Sequence, residues 1–586
     1  MDAFAVFRNR VEEKLINLFP ELSDNKQALS RFVVEPPRDA SHGDLSCNAA
    51  MVLSKVLKSN PRAIAEKLVA EFANDEQVEK IDVAGPGFIN FTLTPDVWQS
   101  VIADANKQGA DYGRPEVAPV GKVNVEYVSA NPTGPLHVGH TRGAVFGDAL
   151  ASLMDFCRYD ITREYYINDA GGQITVLANS AYLRYCEALG DDIGEIPAGL
   201  YPGKYLIPVG QALAEKFGDS LKSMDETERE TTIRPVVLEL MMDLVRDDLK
   251  KLGIKHDLFF SEASLHGGGN GGDIKETLDW LGEEGLVYQG TLEAPKGKTP
   301  EDWEDREQTL FKASDFGDDT DRALVKSDGT YTYFAADIAY HRNKYLRGFN
   351  SQIVVLGADH AGYIKRLSAA GKAVSGGEAE VDVKICQLVN LLRNGEPAKM
   401  SKRSGNFVTM AQLVDEVGAD VVRFIMLFRR NEAQLDFDFD LVTQQTRENP
   451  VFYVQYAHAR ACSAFRNAAR DVPELDVSLE ALQKADLSKL SHPAEISLLK
   501  TMGQFPRAIE AAAAAHEPHR VAFYVHELAA AFHAFWTKGK EEPQLRFVNH
   551  EDRTITLARL AMVNAVRQIL RNGLSILGVS APEELS

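Results

Sequence analysis

Residues 122–157 read KVNVEYVSANPTGPLHVGHTRGAVFGDALASLMDFC. Lys122 to Val128 is rich in β-branched residues and predicts a strand. The loop NPTGPLHVGH, Asn131 to His140, follows with two prolines and two glycines. From His137 to Cys157 the apolar positions, Val145, Leu150 and Leu153 among them, predict a helix. Strand, Gly/Pro loop and helix in that order open an α/β unit. ITREYYI, QIVVLG and VDVKICQLV repeat the theme further along, each followed by a loop and a helical pattern. The expectation is a parallel sheet with crossover helices.

Working outward, residues 1–115 predict a separate α+β unit that ends on a strand, a Gly-Pro-Gly turn and a strand in IDVAGPGFINFTL. The central α/β unit spans 116–448, with an insertion around 178–312. Residues 449–586 are helical in pattern: FYVQYAHARACSAF, VAFYVHELAAAFHAFW and LARLAMVNAVRQILRNGL all show 3.6-residue spacing. The fold class expected is multidomain α/β plus α, with a Rossmann-like parallel sheet between an α+β unit and an all-α unit.

The chain has 586 residues and a net charge of −21, which argues against indiscriminate nucleic-acid binding. The charge is uneven. Residues 449–586 hold 15 Lys+Arg, 15 Asp+Glu and seven of the fourteen histidines, so the whole deficit lies upstream. A neutral, His-rich segment on an acidic chain can meet a phosphate backbone locally, although a plain helical domain has the same composition. Five cysteines lie far apart with no CxxC pair, against a disulfide framework or structural zinc. The N-terminal segment is amphipathic and charged, without the apolar core of a signal peptide, so a cytoplasmic location and no membrane contact are expected.

Two motifs carry chemistry. A helix starting near His137 aims its N-terminal amides and positive dipole end at the preceding loop, as phosphate sites do. Gly139 lets a base or phosphate come close. His137 and His140, three apart, share a helix face and can donate to phosphoryl oxygens as charge builds up. Late in the chain, EPAKMSKRSGNF places Lys399 and Lys402 in a cationic loop, and a lysine ammonium can follow a departing pyrophosphate.

HVGH early and KMSK late in one α/β chain resemble the two signatures of class I aminoacyl-tRNA synthetases. NPTGPLHVGHTRGAVFGD, REYYINDAGGQI, GTYTYFAADIAYH, GADHAGY and NPVFYVQYAHARACS together resemble the bacterial arginyl-tRNA synthetases. The resemblance runs from VEPPRDASHGDLSCN to LRNGLSILGV, nearly the whole chain. The family commonly has serine after KMSK, where this chain has Arg403. The resemblance implies arginine–tRNA ligation: ATP and L-arginine give arginyl-adenylate and pyrophosphate, and arginine passes to the terminal ribose 2′-hydroxyl of tRNA(Arg). It implies magnesium carried on ATP, no structural metal, and a monomer.

Carried over by similarity, His137, Gly139, His140, Lys399, Met400, Ser401 and Lys402 hold ATP, and the two histidines and two lysines are catalytic. Asp337 and Glu126 take the guanidinium, with Tyr333 packing on it. Ser129, Asn131 and His137 take the α-amino and carboxylate end, and Asp359 joins the arginine site. Tyr333 and Asp337 are four apart and share a face if their segment is helical. Tyr453, Tyr456, His458 and Arg460 contact tRNA, since single-stranded RNA is read by aromatic and Arg planes. Asn168 and Asp169 fit a ligand loop or a plain turn equally well.

Gly267, Gly269 and Gly272 satisfy GxGxxG in LHGGGNGGDIKETL. SEASLH intervenes after the strand-like DLFF, so a dinucleotide site is discounted and Asp273 is expected to cap the next helix. A small HxGH nucleotidylyltransferase would need neither the helical unit nor so long a chain. A non-catalytic tRNA-binding relative would be expected to lose catalytic residues, and here both histidines and both lysines are present.

Overall fold

The computed structural model describes residues 2–267, 273–292, 306–398 and 408–585. The N-terminal unit packs helices Ala3–Leu18 and Pro61–Glu71 on a four-stranded antiparallel sheet. Its expected hairpin is present as Val78–Ala84 and Phe88–Leu93, paired antiparallel. AMVLSKVLKSNPRAIAEKLVAEF forms two helices, Ala49–Leu53 and Pro61–Glu71, because Asn60 and Pro61 start a new one, with the Asn60 side chain accepting from the Arg62 amide. Phe7 and Phe72 meet Phe91 edge-on at 5.7 and 5.1 Å in the core of this unit.

The central sheet is parallel and five-stranded. In chain order its strands are β1 (Lys122–Glu126), β2 (Asp160–Ile167), β3 (Leu258–Ser261), β4 (Phe349–Gly357) and β5 (Glu380–Cys386). They lie side by side as β3-β2-β1-β4-β5. The order reverses between β1 and β4, and α/β ligands bind outside the carboxyl ends of the strands at such a switch. β3 falls within the stretch expected to be an insertion, so that stretch returns to the sheet and places the residues after Ser261 at the same edge. Helix Val138–Phe156 crosses beneath β1, where a side chain on Gly147 would come within 2.3 Å of the Tyr127 ring. Asp273 does cap helix Ile274–Glu283, accepting from the Glu276 amide at 2.7 Å. Gly267 has φ +142°, while Gly269 and Gly272 lie outside the described residues.

From Pro450 the chain is helical. Helix Arg553–Ile576 is buried on nearly every side. It contacts the N-terminal unit through Asn106, whose Nδ2 donates to the Ala561 carbonyl at 3.0 Å, and Asn572, whose Nδ2 donates to the Gly109 and Tyr112 carbonyls. Just past its end, the buried Arg423 guanidinium donates to the carbonyls of Leu577 and Leu252 and pairs with Asp148 at 2.5 Å. A buried cation stays only when its donors are met. Here they join the helical unit to helix Val138–Phe156, whose first turn carries the histidines. Among the described residues no helix is long and apolar enough to cross a membrane.

Candidate active site

β1 ends at Glu126, and the chain then passes through Val128 (φ +71°) and Ser129 (φ +39°). A β-branched residue in the left-handed region is strained, and such strain persists only where the surroundings hold it. Here Ser129 Oγ donates to Glu126 Oε1 at 3.1 Å and accepts from the Tyr166 amide at 3.1 Å, and the Tyr165 hydroxyl donates to the Ala130 carbonyl at 2.8 Å.

His137 is the N-cap of helix Val138–Phe156. Its Nδ1 accepts from the Gly139 amide at 3.0 Å, and His140 Nδ1 accepts from the His137 amide at 3.3 Å. The two rings stack at 3.8 Å. With each Nδ1 accepting, each ring proton sits on Nε2. Burial lowers the pKa of His137, and burial with the His137 charge lowers that of His140 to about 4, against the opposing pull of Asp359. Both are therefore neutral N–H donors at neutral pH. A side chain on Gly139 would come within 2.8 Å of the His137 ring, so this glycine first makes room for the histidine.

Lys399, Met400, Ser401 and Lys402 lie outside the described residues. The residues that follow join the histidine strand: the Val138 amide donates to the Val408 carbonyl at 3.0 Å and the Met410 amide to the Leu136 carbonyl at 2.8 Å.

The carboxylates separate into two places. Asp359, in the short helix after β4, is exposed beside His360 at 3.5 Å and bears on His140. Glu262, Asp337, Glu126 and Asp169 instead converge on Tyr166: burial first, then these four charges, raise its phenol well above the usual tyrosine range. Asp337 is half-buried on helix Tyr333–Leu346, and Tyr333, one turn back, is exposed under the Lys326 ammonium at 5.3 Å. Asn131 Nδ2 donates to Gln173 Oε1 at 2.9 Å at the rim. Asp169 is committed to structure, accepting from Ser261 Oγ at 2.6 Å and the Ala263 amide at 2.8 Å.

Glu262 lies in SEASLH, which in sequence reads only as a spacer after DLFF. It is buried with Oε2 unpartnered, and burial followed by the Asp169 charge raises its carboxyl to about 7. The signal available was its place just after a strand at the sheet's carboxyl edge.

On the helical unit, Tyr453, Tyr456 and Arg460 share one face of helix Pro450–Asp471. Tyr456 stacks on Phe452 at 5.7 Å, and the Arg460 guanidinium lies 4.4 Å from the Tyr456 ring centre and donates to its hydroxyl. With Arg447, His533 and Lys538 they line a cleft of about 800 Å³. His458 is a correction to the expected tRNA contacts. It is fully buried, with Nδ1 2.8 Å from the Pro582 carbonyl. Two residues beyond Tyr456 on a helix is about 200° around the axis, so it faces the core.

Three family models match this chain: arginyl tRNA synthetase N terminal domain over 5–93, tRNA synthetases class I (R), catalytic domain over 102–196 and 302–438, and DALR anticodon binding domain over 454–585. An arginine–tRNA ligase of Methylobacterium sp. (strain 4-46) is 58% identical over 590 residues, covering 100% of both chains. That of Rhizobium meliloti (strain 1021) is 55% identical, also covering 100% of both. The chain belongs to the arginyl-tRNA synthetases. The solved arginyl-tRNA synthetase of Thermus thermophilus superposes with a TM-score of 0.71 at 22% identity, covering 99% of this chain and 100% of that one, and shows the shared fold. Within this synthetase Asp359, after β4, bears on His140, while the four carboxylates bear on Tyr166, on β2.

Proposed function

We propose that the carboxyl edge of the central sheet joins ATP to arginine, with the phosphates at the histidines and the guanidinium at the carboxylates. The activity is arginine–tRNA ligation, with ATP, arginine and tRNA(Arg) as substrates. The observation that carries the site assignment is the convergence of Glu126, Asp337 and Glu262 at Tyr166, since a guanidinium fork needs carboxylate acceptors in a fixed plane. His137 and His140 donate through Nε2–H to the α-phosphate as arginine's carboxylate oxygen attacks phosphorus and pyrophosphate leaves. Lys399 and Lys402 are assigned to that pyrophosphate by family pattern. Asn131 and Ser129 lie toward arginine's α-amino and carboxylate end, and Tyr333 closes the pocket from outside. Asp359 falls on the nucleotide side, by His140. Transfer to the ribose 2′-hydroxyl follows.

Among the described residues no three His, Cys, Asp or Glu side chains form a metal cage. Magnesium is proposed, as the family resemblance implies, to ride on the ATP phosphates, keep its waters and neutralise their charge. The working form proposed is a cytoplasmic monomer of three units divided near residues 115 and 448, with the first unit meeting the outer corner of tRNA.

Glu262 makes the pocket pH-dependent. With its carboxyl raised to about 7, it is half protonated at neutral pH when arginine is absent. Guanidinium stays charged throughout and favours the ionised form. KM for arginine is therefore expected to fall as pH rises from about 6 to 8, the range set by that raised value. Glu262→Gln is expected to raise KM and flatten this dependence. A KM for arginine with the same pH profile in both proteins would remove Glu262 from the pocket.

The aromatic cleft is assigned to the anticodon region of tRNA. Stacking of one base on an aromatic ring is worth about 1–3 kcal/mol, so Tyr456→Ala is expected to raise KM for tRNA by about 5- to 150-fold. KM for arginine stays unchanged. An equal rise in both constants would mean that Tyr456 supports the fold and not the RNA.

A further inference from the structure

Glu126 and Glu164 are paired neighbours on β1 and β2, so two carboxylates lie side by side on one face of the sheet, both buried. Helix Tyr333–Leu346 and the residue after it lay a phenol and two cations over them. Glu164 is saturated: it accepts twice from Arg347 at 2.8 and 2.9 Å, from the Tyr340 hydroxyl at 2.6 Å and from Asn124 Nδ2 at 2.8 Å. Burial raises its pKa, but the Arg347 bonds, the Lys344 and Arg347 charges and the Tyr340 bond outweigh that and hold it low. Glu126 has two donors, Lys344 Nζ on Oε2 at 2.6 Å and Ser129 Oγ on Oε1 at 3.1 Å. An ionised carboxylate offers about four acceptor sites. Of these two carboxylates, Glu126 is the one with capacity left for a substrate.

Lys344 is fully buried and lies 4.2 Å over the Tyr340 ring. Its helix also carries Asp337, two turns earlier. We propose that Lys344 is a positioning residue for arginine: its 2.6 Å bond to Oε2 holds the Glu126 carboxylate turned so that its remaining acceptor sites meet the guanidinium. The proposal rests on the reading of the carboxylate cluster as the arginine pocket. Lys344 touches Glu126 rather than substrate, so its effect must pass through that carboxylate.

A double-mutant cycle tests this, with KM for arginine and kcat measured in tRNA charging by the full-length enzyme. Lys344→Met is expected to raise KM for arginine at least about tenfold, the change made by one lost contact, with kcat within about threefold. Lys344→Arg keeps the cation and is expected to restore most of the binding. Glu126→Gln raises KM as well, and the double variant Glu126→Gln/Lys344→Met is expected to be no worse than Glu126→Gln alone, since coupled residues do not add. Effects that multiply in the double variant, or an unchanged KM in Lys344→Met beside an impaired Glu126→Gln, overturn the positioning role. An unchanged KM in Glu126→Gln refutes the pocket reading itself, and the proposal with it. Should Lys344→Met not fold, because it strands a buried carboxylate, the double variant replaces the ion pair by a neutral pair. Equal KM values in the double variant and Glu126→Gln then support the proposal, and a further loss in the double overturns it.

Discussion

Asp337→Asn is expected to cut kcat/KM for arginine by roughly 30-fold to several thousand-fold, the scale of about 2–5 kcal/mol for truncating one partner of a buried charge pair. Asp337 is half-buried near the start of helix Tyr333–Leu346 and, with Glu262 and Glu126, bears electrostatically on Tyr166. Asparagine keeps its shape and removes its charge, so the loss reports on the cation it faces. Citrulline makes the argument sharper. It has nearly the form of arginine but carries a neutral urea, which offers the pocket's carboxylates no guanidinium charge. Sites that hydrogen-bond a substrate group can reject the analogue lacking it by about 10⁴–10⁵, and Asp337→Asn should narrow that gap. Lysine has the charge without the planar fork and should also be poor. The measurement is kcat/KM for arginine and citrulline in both proteins. If neither the arginine value nor the ratio moves, Asp337 is not in the guanidinium pocket.

Lys402→Ala is expected to lower kcat by about 10²–10³ with little change in KM for ATP, the loss produced by removing one donor aimed at charge that develops in the transition state. The histidines cannot compensate. Their Nδ1 atoms accept from backbone amides and both rings are neutral, so they supply hydrogen bonds without positive charge. Besides the magnesium carried on ATP, the full charges assigned to the pyrophosphate are those of Lys399 and Lys402, and further along the chain Val408 and Met410 are bonded to Val138 and Leu136 on either side of His137. Steady-state charging with ATP varied separates the possibilities. A change confined to KM for ATP would make Lys402 a ground-state contact.

Local pattern was sufficient for much of this molecule. Strand, Gly/Pro loop and helix are short-range devices, so KVNVEYV, ITREYYI, QIVVLG and VDVKIC announce four of the five parallel strands. HVGH and KMSK are each contiguous in sequence, and their resemblance to the class I signatures is what implies the chemistry. Positions that depend on long-range packing were not legible. Glu262 comes to bear on Tyr166 because β3 returns to the sheet after a long excursion, and nothing in SEASLH carries that return. Lys344 reads as an ordinary charge on a helix until Glu126, 218 residues away, is laid against it. His458 reads as a nucleotide contact beside two tyrosines, and the helix turns it into the core. Motif identity is stored in neighbouring residues, whereas the partner of a buried charge is chosen by which elements the fold packs together, and one chain's linear order does not contain that choice in any local window.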